Sequence, residues 1–337
     1  MSRFRKTPAT VITGFLGAGK TTLVRHLLAN NDGRRIALII NEFGDLGVDG
    51  ELLAACGIAG CGEEDIVELA NGCLCCTVAD EFLPVMRALL ERPQPPDHIV
   101  IETSGLALPK PLVKAFHWPE IRSKVTVDGV VAVIDAAALA SGRFADDPTI
   151  PEDVPHDNPL EEVFEDQLAC ADMVLLNKTD LVDAARLGAM RDELAARLRP
   201  GVKLVPTHRG AIDPLVLLGL DQAAEDDLAA RPSHHDAEEG HDHDDFESFA
   251  LALPEIADPT ALEVRLLAAI TAHDILRLKG FLAVAGKEAR GVVQAVGARI
   301  ERYFDRPWRP GEARLSRLVV IGQKGLDRAA IEAAILG

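Results

Sequence analysis

Two short segments of this chain carry side chains that could do chemistry. Residues 14–22 read Gly-Phe-Leu-Gly-Ala-Gly-Lys-Thr-Thr, and residues 71–76 read Asn-Gly-Cys-Leu-Cys-Cys. The first segment is typical of a loop that binds phosphates. The second offers three thiolates, which could bind a soft or borderline metal ion. Both segments in one chain indicate a nucleotide switch that is coupled to a metal ion.

The first segment fits the Walker A pattern, and the sequence predicts a strand before it and a helix after it. Its glycines allow backbone N–H groups to turn inward around phosphates, and Lys20 can reach the terminal phosphates. The hydroxyl of Thr21 is placed to bind Mg²⁺. The residues that we expect to bind the nucleotide here are Gly14, Gly17, Ala18, Gly19, Lys20, Thr21 and Thr22.

A second nucleotide motif, Asn177-Lys178-Thr179-Asp180, follows a predicted buried strand. The Asp180 carboxylate can accept hydrogen bonds from the ring N–H and the exocyclic amine of guanine, whereas adenine has no donor at these positions. Asn177 can hold the purine edge, and the stem of Lys178 can cover the face of the ring. Downstream of a Walker A motif, this tetrapeptide favours GTP over ATP.

The candidate switch is the segment 102–105, Glu-Thr-Ser-Gly, at the end of another predicted strand. Glu102 could hold Mg²⁺ through water or orient the attacking water, and the Gly105 N–H could bond the γ-phosphate. The alternative interpretation is that Glu102 has a purely structural role at the end of its strand. With Lys20, these two residues are the candidate catalytic groups.

The candidate metal ligands are Cys73, Cys75 and Cys76, whose thiolates favour Zn²⁺, Cu(I) and tetrahedral Co²⁺. A redox pair or buried small hydrophobic residues are the alternatives. Since no second C-x-x-C pair is evident, we expect an open, exchangeable site. Its fourth ligand could be water, Glu42, or a His or Cys elsewhere.

These motifs need a fold that gathers strand ends at one edge. Up to about residue 215, buried β-rich runs alternate with helical stretches, which predicts a P-loop NTPase α/β domain with a parallel sheet covered by helices on both faces. Polar residues end several strands at the carboxyl edge, where α/β sheets bind ligands. The predicted strands are 10–13, 36–41, 99–102, 130–135, 173–177 and 203–206, and the predicted helices are 20–30, 78–91, 166–170 and 184–199.

The composition changes after residue 215. Residues 216–245 are acidic and end in a His-rich run, which predicts a linker. Its imidazoles could collect metal weakly, or the run could be a solvated connection only. Residues 246–337 predict a smaller α+β domain, with strands at 246–253, 275–285, 291–304 and 315–322 and helices at 260–272 and 327–336.

Net charge, apolar runs and cysteine count also argue against several classes of protein. The chain has 337 residues and a formal net charge of −18, which argues against nucleic-acid binding because phosphate backbones require clustered Lys and Arg. No apolar run approaches the ~20 residues of a membrane helix. The basic start continues directly into a strand rather than a cleavage site. Six cysteines in a chain of this length are not a disulfide framework. We therefore expect a cytoplasmic protein, without nucleic-acid or membrane partners.

Five motifs in order, GFLGAGKTT, NEFGDLGVDGELL, ELANGCLCC, IETSG and NKTD, resemble the CobW-type family of metal-chaperone GTPases. Three C-terminal stretches are most similar to the branch that serves cobalamin biosynthesis, namely 274–283, 293–299 and 303–308. The resemblance implies GTP hydrolysis coupled to delivery of Co²⁺ to cobaltochelatase, with delivery of Zn²⁺ to another metal-dependent client as the alternative. It is compatible with a homodimer without requiring one. A signalling or assembly GTPase with a structural zinc, and a passive storage protein, are the competing interpretations.

Overall fold

The computed structural model describes residues 6–31, 33–41, 66–69, 82–141, 159–233, 246–296, 299–309 and 311–337. The candidate metal ligands Glu42, Cys73, Cys75 and Cys76 lie outside these residues, as does the His-rich part of the predicted linker. The described chain forms two compact units, one within residues 6–233 and one within residues 246–337.

The first unit is built on a parallel sheet of seven strands, which confirms the predicted fold class. In space the strands follow the order β3-β2-β4-β1-β5-β6-β7. Their bounds are Thr7–Thr13 for β1, Ile36–Asn41 for β2, Ile66–Leu69 for β3, His98–Glu102 for β4, Val125–Asp135 for β5, Met173–Asn177 for β6 and Lys203–Pro206 for β7. Every residue of β2 and β4 is buried, so both faces of the sheet are covered there.

Helices follow most of these strands. Their bounds are Lys20–Ala29 for α1, Leu83–Leu90 for α2, Pro109–Ala115 for α3, Pro119–Arg122 for α4, Ala136–Ala140 for α5, Pro159–Cys170 for α6, Ala184–Arg197 for α7 and Pro214–Leu217 for α8. α6 begins earlier than the predicted 166–170, because Pro159 and two acidic residues suit a first helical turn. The short helices α3, α4, α5 and α8 were not predicted, since so few residues show no helical period.

Residues 216–233 differ from the expected linker, because they pack against the first sheet. Asp128 on β5 accepts hydrogen bonds from the backbone N–H groups of Gly219, Leu220 and Asp221 at 2.7, 3.1 and 2.9 Å. Farther along, Arg231 is 1% exposed and its Nη2 donates to Asp172 Oδ1 at 2.7 Å. These buried polar contacts attach the segment to the first unit as far as residue 233.

The second unit is an antiparallel sheet of five strands in the order β11-β10-β9-β12-β8. The bounds are Phe246–Leu253 for β8, Ile275–Leu282 for β9, Ala289–Val296 for β10, Arg299–Pro307 for β11 and Ser316–Gln323 for β12, with helices α9 at Pro259–Ala272 and α10 at Arg328–Leu336. The single strand predicted over 291–304 was wrong, since β10 and β11 pair with each other as antiparallel neighbours. A continuous run of strand-forming residues does not show where the chain reverses.

Leucine, isoleucine and valine side chains of the second sheet pack with α9 and α10 into a core of their own. No helix in the described part of the chain is both long enough and apolar enough to cross a bilayer.

Candidate functional site

The phosphate loop connects β1 to α1 and depends on two glycines. Gly14 has φ +134°, and a Cβ there would lie 2.1 Å from the carbonyl oxygen of Val133. Gly19 has φ +102°, and its Cβ would lie 2.4 Å from Asn177 Nδ2. Since L side chains rarely adopt such φ values and neither position has room for one, only glycine allows the loop to pack against β5 and β6.

Lys20 begins α1 and is 5% exposed. Its Nζ donates to the carbonyl oxygens of Gly14 at 2.7 Å and of Phe15 at 3.2 Å. The ammonium group is therefore held against the loop that it is expected to serve. Thr21 follows on the same helix, and Thr22 is exposed.

Thr21 and Glu102 are in direct contact, although they are far apart in the sequence. Thr21 Oγ1 donates to Glu102 Oε1 at 2.7 Å, and Glu102, the last residue of β4, is 3% exposed. A hydroxyl and a carboxylate side by side are hard oxygen ligands of the kind that Mg²⁺ takes. The residues present thus fit a magnesium ion at this position.

The segment after β4 is fixed by a residue that the sequence did not indicate. Gln167 on α6 is 2% exposed, and its Nε2 donates to the carbonyl oxygens of Gly105 and Ala107, both at 3.2 Å. Gly105 also lies tightly under the phosphate loop, since a Cβ would come 2.8 Å from the backbone nitrogen of Leu16. The candidate switch is thereby held between the phosphate loop and α6.

The Asn177-Lys178 pair connects the second nucleotide motif to the phosphate loop. Asn177 Nδ2 donates to the Ala18 carbonyl at 2.8 Å, and its Oδ1 accepts from the Gly210 N–H at 3.1 Å. Lys178 Nζ donates to the Gly17 carbonyl at 2.8 Å and to Asp135 Oδ2 at 2.9 Å. Two adjacent side chains therefore join the end of β6 to two consecutive residues of the loop.

Asp180 is exposed in the short 3₁₀ helix Thr179–Leu181 that follows. Thr179 Oγ1 donates to the carbonyl oxygen of Thr207 at 3.0 Å, and the Thr207 N–H donates to the carbonyl oxygen of Leu176 at 2.8 Å. Thr207, the residue after β7, thus supports the second motif. No local pattern in the sequence indicates this contact.

The structure places Lys20, Thr21, Glu102, Asn177 and Lys178 at the carboxyl edge of the sheet, joined directly or through the phosphate loop. Among the described residues, no three His, Cys, Asp or Glu side chains form a group that could hold a metal ion. The arrangement can hold a nucleotide phosphate chain with its magnesium ion.

Comparison with known proteins identifies the family. Residues 8–206 match the model of the CobW/HypB/UreG nucleotide-binding domain, and residues 246–337 match that of the cobalamin synthesis protein cobW C-terminal domain. A protein named zinc chaperone CobW from Sinorhizobium is 57% identical, over 98% of this chain and 96% of its own. A protein of the same name from Pseudomonas aeruginosa is 54% identical, over 98% of this chain and 91% of its own. The zinc chaperone YjiA of Escherichia coli is 31% identical, over 97% of both chains. The chain therefore belongs to the CobW family of P-loop GTPases.

Proposed function

We propose that this protein is a metallochaperone that hydrolyses GTP to control the binding and release of a metal ion destined for a client protein. One observation carries the proposal. Thr21 bonds Glu102 at the end of β4, and Glu102 is in register with Ile40 on β2. Asn41, the next residue of β2, is in register with Leu69 at the end of β3. Glu42 follows Asn41 in the chain and Cys73 comes shortly after Leu69, so the two strands that precede the candidate metal ligands in the sequence end at the same edge of the sheet as Glu102.

Nucleotide binding and hydrolysis are assigned to the first unit. The phosphate loop would bind the phosphates, with Lys20 against the terminal ones. Thr21 and Glu102 would hold the magnesium ion, which supplies positive charge against the phosphate oxygens when it is bound. The Gly105 N–H would bond the γ-phosphate and thereby report its presence to the segment that Gln167 holds.

The base would be guanine. Asp180 is exposed, as a residue must be to accept hydrogen bonds from the ring N–H and exocyclic amine of an incoming base. Asn177 and Lys178 are already attached to the phosphate loop, which fixes the distance between the base site and the phosphate site.

The cargo that the comparisons support best is Zn²⁺. Two relatives that share more than half of their residues with this chain are named zinc chaperones. The thiolates of Cys73, Cys75 and Cys76 are suitable ligands for it, with Glu42, water or another side chain as the fourth. Co²⁺ for cobaltochelatase is the second candidate, because the C-terminal family model is described as a cobalamin synthesis protein. Thiolates bind both ions, so geometry and supply must select the metal.

The nucleotide would act as a gate. With GTP bound, ordering of the edge of the sheet near Glu102 would bring the thiolates together and raise metal affinity. Hydrolysis would relax the site and release the metal to the client. Each tenfold difference in metal affinity between the two states requires about 1.4 kcal/mol of differential binding. Because three free thiolates are needed, we place the protein in the reducing cytoplasm.

The test is a competition titration of Zn²⁺ and Co²⁺ with the purified protein, carried out with Mg-GTP, with Mg-GDP and without nucleotide. We expect tight binding only with Mg-GTP, and its loss when Cys73, Cys75 and Cys76 are replaced by serine. Comparison of the two affinities with the free concentrations of the metals in the cell would then identify the cargo. Equal affinity in all three nucleotide states would refute the gate and favour a GTPase with a structural or stored metal.

A further inference from the structure

We propose that Asp135 is a positioning residue for guanine nucleotides, which fixes Lys178 so that the stem of this lysine covers the base. The inference rests on the proposed function, because it concerns the same nucleotide site. Asp135 is the last residue of β5, and neither of the two nucleotide motifs contains it.

The two oxygens of Asp135 have different partners. Oδ1 accepts hydrogen bonds from the backbone N–H groups of Ala137 at 3.0 Å and Ala138 at 3.1 Å, which caps α5. Oδ2 accepts from Lys178 Nζ at 2.9 Å. The side chain of Asp135 is 1% exposed and that of Lys178 is 20% exposed, so this ion pair is largely removed from solvent.

Lys178 needs such an anchor. Its φ of +60° lies in the left-handed region, which a lysine adopts only at a cost in free energy. The same Nζ that bonds Asp135 also donates to the Gly17 carbonyl at 2.8 Å. Both ends of the side chain are therefore fixed, the backbone by the turn and the ammonium by Asp135 and the phosphate loop. A stem held in this way can cover a base without losing side-chain freedom on binding.

Capping alone does not require a carboxylate at this position. An asparagine can cap α5 equally well through its Oδ1. Its Nδ2 would then face Lys178 Nζ, and two donors would meet where an acceptor now receives the lysine. Asp135→Asn therefore preserves the cap and breaks the anchor, which makes the two roles separable.

The experiment measures GDP, GTP and inorganic tripolyphosphate binding to the full chain for wild type, Asp135→Asn, Lys178→Met and the double variant. Asp258→Asn is the matched control. Asp258 caps α9 with the same geometry, since its Oδ1 accepts from Thr260 N at 2.9 Å and Ala261 N at 3.1 Å, and it lies in the second unit. Melting of the nucleotide-free proteins checks that each variant folds.

We expect Asp135→Asn to weaken GDP and GTP binding alike by about tenfold or more, with kcat at saturating GTP little changed. The same substitution should change GDP affinity by less than about twofold in the Lys178→Met background, because the lysine transmits the effect. Tripolyphosphate binding, which involves no base, should stay as in wild type, and so should every affinity of Asp258→Asn.

An equal loss of GDP affinity in both lysine backgrounds, or unchanged GDP binding by Asp135→Asn, would overturn the inference. Tighter tripolyphosphate binding by Asp135→Asn would also overturn it, because the carboxylate would then act by repelling phosphates. The tripolyphosphate arm keeps the inference falsifiable even if Lys178→Met fails to fold. Failure of the wild type to bind GTP would instead refute the proposed function.

Discussion

The hydroxyl of Thr21 donates to Glu102 Oε1 over 2.7 Å, and this contact joins the first turn of α1 to the end of β4. Each residue comes from a different motif, and 81 positions separate them in the sequence. A hydroxyl and a carboxylate that meet at the end of the phosphate loop fit the proposal that Glu102 helps to hold a magnesium ion, rather than only orienting water.

Replacement of Glu102 by glutamine should therefore raise the Mg²⁺ concentration needed for half-maximal GTP hydrolysis by about tenfold to a hundredfold. The amide keeps a hydrogen-bond acceptor for Thr21 but loses the charge that attracts the ion. The measurement is the initial rate at saturating GTP over a Mg²⁺ titration. Glu120→Gln, which changes a surface glutamate paired with Arg87, serves as the control. A lower rate that high Mg²⁺ does not restore would assign Glu102 to the attacking water instead.

Gln167 should matter for hydrolysis but not for GDP binding. Its amide holds the carbonyl oxygens of Gly105 and Ala107, and Gly105 is expected to meet the γ-phosphate, which GDP lacks. We expect Gln167→Leu to lower kcat by about tenfold to a hundredfold, because a displaced switch no longer positions the reacting groups. Single-turnover hydrolysis and GDP titration measure the two effects. Gln222→Leu removes an exposed amide that donates to one carbonyl and should change neither. A parallel loss of GDP affinity in Gln167→Leu would indicate general misfolding of the site.

The pattern of short apolar runs was sufficient to predict six strands of the first sheet. The reason is clearest for β2 and β4, which are covered on both faces and are hydrophobic along most of their length. The pattern failed for β3, whose four residues Ile66–Leu69 include a glutamate. Pairing with β2 makes that segment a strand, and pairing is not a local property. The predicted start of the linker at residue 216 was also wrong, because residues 216–233 are attached to the first unit by contacts with residues that are distant in the sequence. Residues 216–233 include four acidic side chains and an arginine, yet partners such as Asp128 and Asp172 bury polar groups of this segment.

The residues of the candidate site also fall into two groups, those that the sequence indicates and those that it does not. Lys20, Thr21 and Asn177 belong to motifs whose spacing has a chemical cause, so they could be chosen from the sequence. Gln167 meets Gly105 across 62 positions, and an isolated glutamine in a helix gives no signal of such a contact. Thr207 was likewise missed. Residues of other elements that contact the candidate nucleotide-binding segments could be identified only from the fold.

The buried pair of Arg231 and Asp172 should stabilise the first unit far more than an exposed pair of equal length. Arg231 Nη2 and Asp172 Oδ1 are 2.7 Å apart with side chains 1% and 5% exposed, whereas Arg35 and Asp97 form a 2.7 Å pair at 49% and 48%. Arg231→Met keeps most of the volume but leaves the Asp172 charge buried without one of its partners, which should cost about 3–5 kcal/mol of unfolding free energy. Arg35→Met should leave the urea midpoint nearly unchanged. Similar midpoints for both variants would show that the buried pair of Arg231 and Asp172 contributes no more to stability than the exposed pair.

His98, the first residue of β4, should make the stability of the fold sensitive to acid. Its Nε2 lies 2.8 Å from Thr10 Oγ1, and Thr10 Oγ1 in turn donates to Asp128 Oδ2 at 3.4 Å. Because the Thr10 proton is directed to the carboxylate, we infer that a neutral His98 donates its Nε2 proton to Thr10. Burial lowers the pKa of His98 from 6.5 to about 4, against an opposing effect of the Asp128 carboxylate.

The unfolded chain therefore binds a proton at His98 before the folded chain does, and unfolding free energy is lost as the pH falls from 6.5 to about 4. The loss should approach about 3 kcal/mol at the acid end of this window. His98→Gln keeps a donor for Thr10 but does not titrate. Urea unfolding at intervals from pH 7 to pH 4 should thus give a wild-type curve that falls more steeply than that of the variant. Parallel curves would mean that His98 is protonated inside the fold without penalty, so acid sensitivity would have to come from other groups.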